Sequence, residues 1–198
     1  MPKGAETHQE ILSRAVGLFN KHGYAGVSMS QVMEVTGLKK GGIYNHFKSK
    51  EQLALEVFEF AISKVRERFV EGLDGKRTAP ARLHAILAIM ARYVEDPPVE
   101  GGCPIYNTAV DSMHSQPALK ARARAGMDEL QDYIRVTVEK GVARNELLPD
   151  ADPDQVAAIM VSSLEGALLI SKLYDDAAYM KRAVQHLATF IDEKLSSS

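Results

Sequence analysis

Residues 37–50 read GLKKGGIYNHFKSK. Two adjacent glycines, Gly41 and Gly42, stand in a run that carries Lys39, Lys40, Lys48 and Lys50 with Tyr44 and His46 and no acid. Helical signals flank it. Upstream, Ser28-Met-Ser-Gln31 is a capping box, with Val27 and Val32 spaced as a hydrophobic staple, and Gly37 stops the helix at about residue 36. Downstream, Ser49-Lys-Glu-Gln52 is another box. It opens a long helix through Leu53, Val57, Phe58, Ala61, Val65 and Phe69. Between them, the spacing of Ile43, Tyr44 and Phe47 predicts a short helix over about 39–46. Helix, tight glycine turn, helix is the helix-turn-helix plan. Its second helix enters a DNA major groove about 12 Å wide. Val32, Leu38 and Ile43 would share a small core and leave the basic residues facing out. The glycines then have a use: they remove side-chain bulk where the backbone must approach DNA. The cost is up to about 1 kcal/mol of helix propensity for each.

The rest of the chain is consistent with this reading. Net charge over the 198 residues is −2, but residues 1–50 carry +4 and the remainder −6. A basic head on an acidic body fits a polyanion-binding module joined to something else. Hydrophobic residues make up 45% and charged residues 25%, an ordinary globular balance. The single cysteine excludes an internal disulfide framework and fits a reducing, cytoplasmic setting. The polar start MPKGAETHQE lacks the apolar stretch of a signal peptide, and no uninterrupted apolar run approaches the ~20 residues of a membrane span.

Period-2 alternation is nearly absent, and helical spacing recurs throughout, which predicts an all-α chain of about nine helices. Thr7-His-Gln-Glu10 has capping-box spacing ahead of a stripe from Ile11 to Phe19, and Gly23 ends that helix. Leu83, Ile86, Leu87, Met90 and Tyr93 mark a helix over about 81–94, which Pro97-Pro98 closes. Short and long helices follow over about 103–113 and 117–142. Asp152 caps an apolar helix to Leu173, and a last helix runs over about 179–195. Two domains are expected: a head over 1–50 and a body over 51–198, with a connecting helix over about 50–73.

The stretch SMSQVMEVTGLKKGGIYNHFKSKEQL resembles the signature of the tetracycline-repressor (TetR) family of bacterial regulators. Gly37, Gly41, Tyr44, His46, Phe47, Lys50 and Leu53 stand where that signature has them. The likeness covers about residues 8–55. It implies a three-helix DNA-binding head, a connecting fourth helix and a ligand-binding, dimerising helical body. Carried over, it implies that Ser28 caps the second helix beside phosphate, that Tyr44 puts its hydroxyl on phosphate, and that Lys50 anchors another. It places Lys39, Lys40, Gly42 and Asn45 outward, toward bases or nearby backbone, with Lys40 suited to guanine O6/N7. His46 either touches phosphate or packs the turn, and Phe47 belongs to the core. The chain departs from the family pattern at Met33, Thr36 and Gly42, where smaller residues, Ala, and Thr, Ser or Ala respectively are usual.

In the body, Met90, Tyr93, Tyr106, Asn107, Met113, His114, Met127, Tyr133 and Met160 are candidates for a small-molecule cavity, since Met and Tyr line adaptable pockets. Plain core packing is the competing reading for each. Ile159, Ser163, Leu164, Ala167, Leu168 and Ser171 on one helix, and Leu187, Phe190 and Ile191 on the next, give broad apolar faces suited to a four-helix homodimer interface. The implied partners are double-stranded operator DNA, a small-molecule inducer and a second copy of the chain, with no membrane, cofactor or metal. Cys103 is either a redox-responsive thiol at a helix start or an inert buried cysteine. An enzyme built on Cys103 and His114 is disfavoured. Eleven helical residues would hold the two about 16 Å apart, and no metal-ligand spacing or nucleotide-binding fingerprint is present.

Overall fold

The computed structural model describes residues 3–196; the outermost limits expected for the two domains, 1 and 198, fall outside them. Among the described residues there are nine α-helices, no β-strand, and two short helical extensions. The helices are α1 (Lys3–Gly26), α2 (Met29–Thr36), α3 (Lys40–Tyr44), α4 (Lys50–Leu73), α5 (Ala79–Ala91), α6 (Pro104–Ser112), α7 (Pro117–Ala143), α8 (Pro153–Leu173) and α9 (Ala178–Phe190). A 3₁₀ turn, Arg92–Val94, follows α5, and a π turn, Ile191–Leu195, follows α9.

The chain divides into two compact units: Met1–Val65 with Pro98–Gly126, and Arg66–Pro97 with Met127–Ser198. The head expected over residues 1–50 lies within the first unit, which also takes in residues 51–65 and 98–126.

In the first unit, α1 packs against α2 and α6, and α2 against α3. Ile11, Leu12, Ala15 and Phe19 of α1, Val32 of α2, Ile43 of α3 and Leu53, Val57 and Phe58 of α4 are buried. The Ser28 box forms as its residues imply: the Gln31 N–H donates to Ser28 Oγ at 3.2 Å, and the Ser28 N–H donates to Gln31 Oε1 at 2.8 Å. Gly37, at φ +71°, provides the left-handed residue that closes α2. At the start of α4, the Gln52 N–H donates to Ser49 Oγ, but Gln52 Oε1 accepts from the Lys48 N–H. The return bond has slipped one residue upstream.

Two local expectations are corrected. α1 begins at Lys3, so Thr7 lies inside the helix and does not cap it. The helix expected over 39–46 is regular only over Lys40–Tyr44, although the Phe47 N–H still donates to the Ile43 carbonyl at 3.0 Å. With two glycines in its first turn, little propensity is left to extend it.

In the second unit, α8 packs along α9, and both meet α5. Leu83, Ile86, Leu87 and Met90 of α5 are buried, as are Met160, Leu164 and Leu168 of α8 and Leu187 of α9. Thr78 Oγ1 and Glu146 Oε2 accept from the first amides of α5 (Ala81 and Ala79), and Asp152 Oδ1 accepts from Asp154 and Gln155 at the start of α8. Gly141 allows close packing; a Cβ there would lie 2.5 Å from Ala79 Cβ. The Leu148 N–H donates to the Leu195 carbonyl at 2.7 Å, which ties the π turn to the segment after α7.

Among the described residues, α8 is the one helix long and apolar enough to cross a membrane, by length and composition; half of its most apolar window is buried. Ser162, Ser163, Glu165 and Ser171 interrupt its sequence, which is why it does not read as a continuous apolar run.

Candidate nucleic-acid interface

α3 is held from beneath. Ile43 is fully buried and Phe47 is 1% exposed, so both belong to the core of the first unit. Because they occupy the inward face, Lys39, Lys40, Tyr44 and Asn45 are forced outward, and all four are exposed. Lys40 Nζ lies 5.7 Å from the centroid of the Tyr44 ring, within reach of a cation–π attraction. Gly42 is half-buried over Leu38, and Ser28 is exposed at the head of α2. Lys39, Lys40, Tyr44 and Asn45 thus present two cations, a phenol and an amide to solvent on and beside a helix with two glycines in its first turn.

His46 is half-buried and belongs to a cluster. The His8 ring of α1 stacks on Phe47 at 4.6 Å between centroids and meets His46 edge-on at 6.0 Å. His8 Nε2 also lies 2.8 Å from Glu56 Oε2 of α4. Thus α1 and α4 grip the residues that follow α3. Arg14 adds a second tie: its Nη2 bonds Glu10 Oε1 at 2.6 Å, and Nη1 reaches the Thr36 carbonyl at 3.5 Å, where α2 leaves a carbonyl without an intrahelical donor.

Lys50 opens α4 and is half-buried, with Nζ 4.2 Å from the centroid of the Tyr24 ring. Tyr24 was not singled out from the sequence. The available signal was an aromatic residue directly after the helix-breaking Gly23.

The remaining candidates are distributed through both units. In the first unit, Asn107 Nδ2 donates to the Asn20 carbonyl, Asn20 Oδ1 and the Gly101 carbonyl at 3.0–3.2 Å, so its amide braces α1 against α6. Tyr106 is half-buried, and Met113 and His114 are exposed beyond the end of α6. In the second unit, Met90, Tyr93 and Met160 are buried, and Met127 and Tyr133 are half-buried. The Tyr133 hydroxyl accepts from Arg82 at 2.7 Å.

Of the residues expected at a dimer interface, Leu164, Ala167, Leu168, Ser171, Leu187 and Ile191 are buried by the chain's own packing. Ser171 Oγ accepts from the Met180 N–H at 3.0 Å and so fixes the α8–α9 connection. Ser163 and Phe190 are half-buried and Ile159 is exposed. The outward face of α8 carries Ile159, Ser162, Gly166, Leu169, Ile170 and Leu173 at helical spacing, and Leu173 is 71% exposed. A Cβ added at Gly166 would meet nothing within 4 Å.

Cys103 is 4% exposed at the N-cap of α6, which leaves an oxidant little surface to reach. The nine-residue helix between Cys103 and His114 spans about 13 Å of rise, and His114 lies past its far end.

Comparison with known proteins gives concordant matches. Residues 11–57 match the family described as "Bacterial regulatory proteins, tetR family", and residues 79–187 match "Tetracyclin repressor-like, C-terminal domain". The crystal structure of a TetR transcriptional regulator from Chloroflexus aurantiacus J-10-FL is similar to this chain with a TM-score of 0.97 and 43% identity, covering 100% of both chains. A TetR-family regulator from Cytophaga hutchinsonii has a TM-score of 0.90 and 27% identity over 97% of this chain and 96% of that one. Among curated proteins, the HTH-type transcriptional repressor AcnR of Corynebacterium glutamicum is 23% identical over 176 residues, 89% of this chain and 86% of that repressor.

Proposed function

This chain belongs to the TetR family of bacterial DNA-binding transcriptional regulators, and from that premise we propose that it is a cytoplasmic repressor. In this reading it holds a palindromic operator as a homodimer and lets go when a small molecule binds its body. The observation that carries the reading is the division of α3 and its flanking residues into two faces, Ile43 and Phe47 buried, Lys39, Lys40, Tyr44 and Asn45 exposed. Such a helix can be pressed into a groove without disturbing its own core. Ser28, Gly42, His46 and Lys50 border the same surface. Two copies related by a two-fold axis would set their recognition helices in successive major grooves, about 34 Å apart.

The exposed apolar stripe on α8, Ile159, Gly166, Leu169, Ile170 and Leu173, supports a second copy of the chain as its occupant. Gly166 would let the two helices approach closely. For the ligand, Asn107 drops out because it is engaged between α1 and α6, and Met113 and His114 because they face solvent; Met90, Tyr93, Met127, Tyr133 and Met160 remain as candidates in the second unit and Tyr106 in the first. Release requires the ligand to prefer the non-binding state. A preference of about 3 kcal/mol lowers operator affinity more than a hundredfold.

The test is an equilibrium titration of the full chain against duplex DNA from upstream of its own gene, with random duplex as reference. Operator-sized DNA should bind in a 2:1 protein-to-duplex ratio and far more tightly than random DNA. Equal affinity for both would overturn the reading. Lys40→Ala should also alter the motif recovered when binding sequences are selected from a random pool.

A further inference from the structure

Gly23 breaks α1 with φ +68° and ψ +175°, a backbone setting open to glycine and strained for other residues. The break is held from α6. Asp111 Oδ2 accepts the Tyr24 N–H at 2.8 Å. A Cβ at residue 23 would lie 2.6 Å from the Asp111 carboxyl carbon, so the carboxyl occupies the space that glycine leaves. Further ties flank this bond. Asn20 Nδ2 donates to the carbonyls of Glu100 and Gly102 at 2.9 and 3.1 Å, Asn107 Nδ2 bonds back to Asn20, and Lys21 pairs with Glu100. The segment from Glu100 to Asp111 is thereby attached to the last turn of α1.

Beyond the break, the Tyr24 ring lies beneath the Lys50 ammonium, 4.2 Å from centroid to Nζ. An ammonium on a four-carbon stem samples many rotamers, and a ring face at this distance selects among them. The direction of that ring depends on the backbone at Gly23, which Asp111 holds.

We propose that Asp111 is a positioning residue for DNA binding: from α6 it sets the bend at Gly23, and through the Tyr24 ring it holds the Lys50 ammonium ready for a backbone phosphate. This rests on the reading of Lys50 as a phosphate contact and adds a residue that never touches DNA. It also makes α6 a lever on the head. Any shift of α6 that lengthens the Asp111–Tyr24 bond frees Lys50.

The experiment measures operator affinity across a salt series for wild type, Asp111→Ala, Asp111→Asn and Tyr24→Leu, each with Lys50 intact and as Lys50→Ala. Asp111→Ala and Tyr24→Leu should each weaken binding roughly three- to fivefold, the scale of an exposed cation–π contact. Each should also flatten the log–log salt slope by up to the ~0.9 of one phosphate contact. Asp111→Asn keeps an oxygen that can accept from Tyr24 and should restore wild-type binding. On the Lys50→Ala background, neither substitution should cost anything further. A purely structural role predicts an equal loss on both backgrounds and no change of slope; either result overturns the proposal. Tyr24→Leu keeps Gly23 and Asp111 in place and decides the matter if Asp111→Ala does not fold. A wild type that fails to bind the duplex would defeat both this inference and the functional reading beneath it. A wild type that binds while Asp111→Ala matches it defeats this inference alone.

Discussion

Replacing both Gly41 and Gly42 with alanine should make the protein more stable and a poorer DNA binder. Neither glycine has a positive φ, unlike Gly23, Gly37, Gly75, Gly101 and Gly102. A Cβ on Gly41 would meet nothing within 4 Å, and one on Gly42 would rest 3.5 Å from Leu38 Cβ, an ordinary packing distance. The protein's own packing therefore gives no reason for glycine at either position. Glycine costs up to about 1 kcal/mol against alanine in a helix interior. Both sites are in the first turn of a five-residue helix, so roughly half of that applies and the pair should add about 1 kcal/mol. Urea unfolding of the full chain should show the midpoint rising with the slope unchanged. The two new methyl groups stand on the face proposed to meet DNA, so operator affinity should fall in the same preparation. Gly37→Ala is the control: no atom lies within 4 Å, but φ is +71°, and it should lose about 1–2 kcal/mol from the left-handed backbone alone. Loss of stability in the double variant would show that the glycines serve internal packing. A gain in stability with unchanged DNA affinity would remove DNA approach as their reason.

Leu173→Glu on the outer stripe of α8 should shift sedimentation from dimer to monomer while the helical circular-dichroism spectrum is retained; a persistent dimer would place the interface elsewhere. Gly141→Ala should destabilise the second unit by about 1–3 kcal/mol of overpacking, because the new Cβ would sit 2.5 Å from Ala79 Cβ and 2.7 Å from Leu147 Cδ1; an unchanged urea midpoint would contradict that packing. The Arg66 guanidinium bonds both oxygens of Glu129 at 2.9 and 2.7 Å and holds its carboxyl below the ordinary 4.5. A depressed carboxyl stabilises the fold above its unfolded value and loses that contribution as pH falls through the folded one. Both side chains are about half exposed, so Arg66→Ala should cost no more than about 1 kcal/mol at neutral pH. The gap from wild type should close as pH drops below about 4.5; a gap that persists in acid would mean the arginine acts through packing.

The helices were legible because their signals are local. Ser28 with Gln31, Gly37, and Asp152 ahead of Pro153 are caps and stops whose chemistry works within four residues. Thr7 and Glu10 have the same spacing yet lie inside α1, because the helix already starts at Lys3 and the Thr7 backbone is helical rather than extended as a cap requires. The faces of α8 were less legible. Leu164 and Leu168 point into the second unit's core while Ile159, Leu169, Ile170 and Leu173 point out. A helix apolar on nearly every side has no periodicity to separate the two sets. Asn107 shows a different limit. A polar residue in an apolar run suggested a ligand contact, but its partners, Asn20 and Gly101, include one 87 residues away in the chain. Tyr24 went unread for a similar reason, since only the fold brings Lys50 over its ring.

The most direct test of the central claim, that α3 offers its cations and phenol to a DNA duplex, is the salt dependence of duplex binding. It compares wild type with a variant carrying Lys39→Ala, Lys40→Ala and Tyr44→Phe. The wild type should bind upstream DNA with a steep negative log–log slope. The variant's line should be weaker at every salt concentration and shallower by about 0.9 for each phosphate that no longer has a lysine beside it. Superimposable lines for the two proteins would contradict the claim.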